Sequence, residues 1–108
     1  MSERVWHDAG ADDEAEDGTL VEVTVDREAV LLARVDGEWL AVAGDCTHDE
    51  CPLVDGEVVD GAIHCMCHGA AFDLRSGEVV EPPATEPLAV YRVRSADGRL
   101  HISLDAIN

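Results

Sequence analysis

The chain has 108 residues, of which 24 are Asp or Glu and 7 are Arg; Lys is absent and the formal net charge is −17. That length suits a single domain spanning 1–108, with a modest core, near the size at which a metal or another staple helps. The charge excludes nucleic acid, whose phosphates demand a basic footprint, and opposes an anionic membrane surface.

Residues 1–18 form an acidic N-terminal segment without an apolar core of the kind a secretory leader needs, and Asp12 to Asp17 reads as a solvated loop. Trp6, in this segment, is placed to pin it to the body. No run approaches the roughly 18 apolar residues of a membrane helix. The expectation is therefore a monomer in the cytoplasm, away from membranes. Disorder is a poor reading of the acidity, because 46% of the residues are hydrophobic and they fall in patterned runs. Adaptation to high salt, where dense carboxylates stay solvated and their repulsion is screened, is the better one.

Val21, Val23 and Val25 alternate with Glu22 and Thr24, the period of a half-buried strand. Residues 29–35 are more continuously apolar and suit a strand covered on both faces. Asp36-Gly37 separates them from a third run at 38–43 containing Trp39, expected half-buried. An Asp-Gly pair between apolar runs predicts a tight hairpin, since both turn residues must accept positive φ. The device recurs at Asp60-Gly61 and Asp97-Gly98, and Ser76-Gly77 marks a further turn. No segment has a clear helical period, so the fold class is all-β and antiparallel. Residues 81–87, with Pro82, Pro83 and Pro87, are too rich in proline for a strand.

Cysteine and histidine are concentrated in two loops. Cys46-Thr47-His48 leaves a strand through Gly44, and sixteen residues later Cys65-Met66-Cys67-His68 leaves the Asp60-Gly61 hairpin. Each loop offers a thiolate and an imidazole, and the hairpin between them sets their separation. A structural zinc site more often pairs like with like, as Cys-x2-4-Cys with His-x3-5-His. Mixed pairs suit a two-iron cluster, with one iron on Cys46 and Cys65 and the other on His48 and His68. Zinc and plain structural disulfides remain the alternatives. His64 has strand parity and reads as a partly buried strand residue, while His7 and His101 read as surface residues.

These two boxes resemble those of the Rieske [2Fe–2S] family, Cys-x-His followed by Cys-x-x-His. The likeness extends from about Leu20 to Leu104 and includes residues 72–77 and 82–88. It implies the Rieske fold, an antiparallel β-sandwich base with a small cluster-binding subdomain at about 44–84. Cys46, His48, Cys65 and His68 would hold the cluster, with Phe72, Pro82 and Pro83 shielding it. The resemblance is to the small ferredoxins of aromatic-ring-hydroxylating dioxygenases. It implies a one-electron carrier between a ferredoxin reductase and a terminal oxygenase, with no substrate of its own. A carrier or subunit of another redox system, such as nitrite reduction, and a redox sensor are the alternatives. A self-contained oxygenase would need a further domain with a mononuclear iron site.

The Rieske subunits of respiratory cytochrome bc complexes tie their ligand loops together with a disulfide that many soluble ferredoxins lack; Cys51 and Cys67 occupy those positions, and the resemblance implies a disulfide between them. The competing reading is two reduced, buried cysteines in a reducing cytoplasm. With two neutral imidazoles in place of thiolates, the cluster's formal charge changes from about −2 and −3 to about zero and −1, which eases reduction. In high-potential members a Ser and a Tyr hydroxyl donate to cluster or ligand sulfur. Ala70 and Phe72 stand there instead and donate nothing, so the expected potential lies in the lower part of the roughly −150 to +300 mV Rieske range. Asp49 and Glu50, beside His48, are placed to steer a basic partner.

Overall fold

The computed structural model describes residues 5–47, 51–67, 69–82 and 84–108. Among the described residues ten strands fall in two antiparallel sheets: β1 (His7–Ala11), β2 (Leu20–Val25), β3 (Glu28–Val35), β4 (Glu38–Ala43), β5 (Glu57–Val59), β6 (Ala62–His64), β7 (Ala71–Asp73), β8 (Val79–Glu81), β9 (Val90–Ala96) and β10 (Arg99–Ser103). The larger sheet runs β1-β10-β9-β4-β3-β2 and curls until β1 packs beside β2. The smaller, β5-β6-β7-β8, is a lobe inserted between β4 and β9. Among the described residues the only helix is one 3-10 turn, Leu53–Asp55, and no helix is long and apolar enough to cross a membrane.

The three Asp-Gly pairs make the hairpins their chemistry predicts. Asp36, Asp60 and Asp97 have φ of 51°, 51° and 54°, and the following glycines 78°, 77° and 74°. A fourth turn of the same hand joins β2 to β3 without glycine, at Asp26 (φ 49°) and Arg27 (φ 68°). Two glycines matter for close approach. A Cβ on Gly56 would lie 2.1 Å from the His64 carbonyl oxygen, and one on Gly77 would lie 2.2 Å from that of Leu88. Neither site has room for a side chain, so backbone lies directly against backbone there.

β3 is covered on both faces, as its continuous apolar run predicts. Val30 and Leu32 enter the core inside the curled sheet with Ala41, Leu100 and Ile102. Leu31, Ala33 and Val35 face the lobe and join a second core with Leu53, Ile63, Phe72, Leu74 and Leu88.

The N-terminal segment differs from its expected form. β1 lies inside it and pairs with β10, so His7 and His101 are half-buried strand residues rather than surface ones. The acidic run after β1 is exposed for most of its length but stitched to the body. Ser95 Oγ donates to the Asp12 carboxylate, the Trp39 indole N–H to the Asp13 carbonyl (3.2 Å), and the Gly37 amide to Asp17 (3.0 Å). Short acidic side chains accept backbone and hydroxyl donors where chain direction allows, which composition alone does not reveal. Trp6 does pin the segment, since the Arg94 guanidinium stacks 4.4 Å from its ring centroid.

Asp8 fastens β1 further. Arg99 donates to it through Nε (3.0 Å) and Nη2 (2.7 Å), and the Gly10 amide donates at 2.8 Å. The Arg99 hydrogen bonds, then the Gly10 amide, bring the Asp8 carboxyl from 3.8 to about 2.

Candidate metal centre

Both cysteine-bearing loops are closed by the same backbone device. In the first, the Gly44 amide is anchored on the Ala29 carbonyl (2.9 Å), and two rungs follow. The Leu53 amide donates to Gly44 (2.8 Å) and the Cys46 amide to Cys51 (2.9 Å), with Asp45 bridged to Pro52 between them. In the second, the Cys65 amide donates to the Ala70 carbonyl at 2.7 Å, and the Gly69 amide returns to Cys65 at 3.1 Å. Each loop therefore opens on a cysteine whose amide is tied five residues ahead. Both cysteines are turned inward, each 2% exposed.

Cys51, at the end of the first loop, is in a disulfide with Cys67, near the tip of the second, with 6.5 Å between their Cα atoms. The Sγ atoms of Cys51, Cys65 and Cys67 lie within 4.8 Å of one another. A sulfur already bonded to sulfur is not a thiolate ligand, so this trio is not a three-cysteine metal site; it shows the bridge lying against the Cys65 thiol. Thr47 Oγ1 donates to the Glu86 carbonyl at 2.8 Å, holding the proline-rich segment against the first loop.

His48, Asp49, Glu50, His68 and Pro83 lie outside the described residues. Of the other residues expected to shield the centre, Phe72 is completely buried in the lobe's core, whereas Pro82 is exposed; Ala84, two residues on, is 3% exposed. His64 is half-buried on β6, opposite Glu57 and Ala71, as its strand parity predicts. Met66, between Cys65 and Cys67, is 65% exposed and marks the loop's outer tip.

At the far end of the lobe, Asp73 accepts from the amides of Arg75 (2.8 Å) and Ser76 (3.0 Å). These bonds, that from Ser76 foremost, hold its carboxyl below the usual range. The turn they fix presents Arg75 to Glu38 (2.5 Å) and Asp36 (3.4 Å) on the β3–β4 hairpin, tying the lobe to the base. The hydrogen bond that the guanidinium donates to Glu38 is the main reason its pKa is raised. Sequence reasoning missed this tie, because nothing local marks a surface arginine for carboxylates so far away in the chain.

Two buried cysteines at the mouths of matched loops, braced by a bridge that leaves both outside it, are the donor chemistry a [2Fe–2S] centre with two cysteine ligands requires. The sequence matches the Rieske [2Fe-2S] domain over residues 5–92. The chain belongs to the Rieske family. The cofactor of this Rieske chain is accordingly one [2Fe–2S] cluster. The chain is 40% identical over 83 residues to the biphenyl dioxygenase ferredoxin subunit of Pseudomonas sp. (strain KKS102), covering 76% of each. Against the anthranilate 1,2-dioxygenase ferredoxin subunit of Burkholderia cepacia it is 30% identical over 99 residues, 92% of each. Among solved structures, it superposes on a chain of the complex of reduced oxygenase and oxidized ferredoxin in carbazole 1,9a-dioxygenase with a TM-score of 0.87 at 26% identity, covering 98% of this chain and 99% of that one. A protein described as the NADH-dependent nitrite reductase small subunit of Mycobacterium tuberculosis gives 0.82 at 26% identity, covering 98% and 100%.

Proposed function

We propose that this Rieske chain is a one-electron carrier, taking an electron from a ferredoxin reductase and passing it to a terminal oxygenase. Cys46 and Cys65 hold one iron and His48 and His68 the other. The observation that carries the reading is the pair of matched loops with Cys46 and Cys65 buried at their mouths. Relatives named as dioxygenase ferredoxin subunits, alike over most of their length, support the choice of partners. When bound, the cluster takes up and releases one electron. The chain's own part is to hold it near the surface, brace the loops and limit water. The Cys51–Cys67 bridge fixes one loop to the other, Phe72 fills the space beneath them, and Thr47 keeps the proline-rich segment in place.

Ala70 and Phe72 are fully buried beside the second loop and carry no donor. Without hydroxyl bonds to stabilise the reduced form, the potential falls in the lower part of the roughly −150 to +300 mV range. The carrier works in the cytoplasm, and its coat of 24 carboxylates suits high salt. Its melting temperature is expected to rise from dilute buffer to molar KCl, and a fall over that range would remove the salt reading.

The experiment on function mixes the holo protein with a ferredoxin reductase, a reduced nicotinamide and a dioxygenase oxygenase component. Reduction of the cluster followed by oxygenase turnover supports the proposal. A second reading, small subunit of a nitrite reductase, is favoured by the 0.82 superposition over nearly the whole of both chains. Electron delivery to nitrite reductase alone would select it.

A further inference from the structure

β4 and β9 pair only at Ala41–Tyr91 and Val42–Val90. Below those rungs β4 stays with β3 and β9 turns to β10, so the sheet forks. The fork holds an open groove of about 400 Å³, and none of its lining comes from the cysteine loops. That volume suits a ligand of one or two rings. Both of the chain's tryptophans and its only tyrosine, Trp6, Trp39 and Tyr91, line it.

The groove's own lining carries one unmatched cation. In a chain with 24 carboxylates, one guanidinium of the groove's lining, that of Arg92, enters no ion pair among the described residues; nor do those of Arg34 and Arg94, which line the adjoining groove beyond Trp39. Arg94 stacks on Trp6, and Arg34 lies 5.4 Å from the Trp39 ring centroid with its Nε buried and lacking a hydrogen-bond acceptor. Arg92 is half-buried in the groove wall. The groove's one acidic lining residue, Glu38, is already matched by Arg75 at 2.5 Å. In the adjoining groove Arg34 and Arg94 face Asp12, Asp13 and Glu14, so the cations there have carboxylates nearby. The fork groove thus brings one unmatched guanidinium and three aromatic rings into a single lining.

We propose that this fork binds a small aromatic carboxylate. Its ring lies between the indole and phenol side chains, and its carboxylate receives the paired N–H groups of Arg92. Planar rings gain from stacking and edge contact with Trp and Tyr. A guanidinium fork matches a carboxylate with two parallel hydrogen bonds, which a point charge does not. The proposal stands apart from the electron-transfer reading, because the groove and the cysteine loops share no residue.

The test is simple because all the tryptophan emission originates at this groove. The holo protein is titrated with benzoate, with benzamide (ring without charge) and with acetate (charge without ring), at constant ionic strength. Benzoate is expected to give a saturable emission change with a dissociation constant of about 1 mM or tighter. Benzamide and acetate should bind at least about tenfold more weakly, a difference set by the missing charge or the missing ring. The indole N–H resonances of Trp6 and Trp39 should shift along the same curve. Arg92→Gln should weaken benzoate by about tenfold or more while the visible spectrum and melting temperature stay unchanged. No saturable response to benzoate, acetate binding as well as benzoate, or Arg92→Gln binding as tightly as the parent would each overturn the proposal.

Discussion

The base sheet and the inserted lobe solve the stability problem in different ways. Strands of five to eight residues build the base, and it has a core inside its own curl. Each strand of the lobe has three residues, too short for a small sheet to stand alone in water. Cross-links make up the difference: the Cys51–Cys67 bridge, the amide rungs of the two loops, Thr47 on Glu86 and Arg75 on the β3–β4 hairpin. The lobe is therefore the part whose folding depends on its staples. Perturbations of the lobe should fall heavily on the centre and lightly on the base.

The largest effect should come from removing a proposed cluster ligand. Cys65→Ser is expected to abolish the visible iron–sulfur absorption and lower the melting temperature by roughly 10 °C or more, because metal binding in so small a domain is folding energy. An unchanged melting temperature would mean that the lobe stands without its cluster. Next comes the bridge. Replacing Cys51 and Cys67 together by Ala opens a loop of sixteen residues' separation and should cost about 2–4 kcal/mol. Hydrogen exchange should quicken in residues 44–81 and stay near its parent rate in β2, β3 and β10; uniform quickening would contradict the division.

The hairpins of the base were legible because Asp-Gly serves its turn by local chemistry alone. Asp26-Arg27 was not, since arginine at positive φ is held there by the pairing of β2 with β3 and by nothing in its own side chain. β1 was hidden in an acidic run, because its pairing with β10 is set by a partner some 90 residues away. The cysteine boxes stood out, since metal ligation restricts residue type and spacing together. The rest of the lobe did not: strands this short have no period to read, and the ties of Arg75 and Thr47 link residues 37 and 39 positions apart.

Gly56 gives a smaller test within the lobe. A methyl group there would meet the His64 carbonyl at 2.1 Å, so Gly56→Ala must displace the β5–β6 hairpin and should cost about 1–3 kcal/mol. The loss should appear as faster release of the cluster on heating; unaltered cluster loss would show that the hairpin is not fixed by this contact.

The smallest effect belongs to the base. The folded-state carboxyl of Asp8 is depressed from 3.8 to about 2, so its contribution is fully present above the unfolded value and is lost as pH falls through that interval. Asp8→Asn should remove this part of the acid dependence and leave the cluster's absorption intact at neutral pH. An acid limb identical to the parent's would sink the assignment.

The ligand set itself is tested most directly by the pH dependence of the cluster's reduction potential, measured together with nitrogen couplings in the reduced protein. With His48 and His68 on one iron, two imidazole nitrogens should couple to the reduced cluster. Oxidation makes the metal-bound imidazoles more acidic, so the potential should be level near neutral pH and fall at alkaline pH as they lose protons. A potential independent of pH, with no nitrogen coupling, would mean a cluster held by sulfur alone and would contradict the assignment of Cys46, His48, Cys65 and His68.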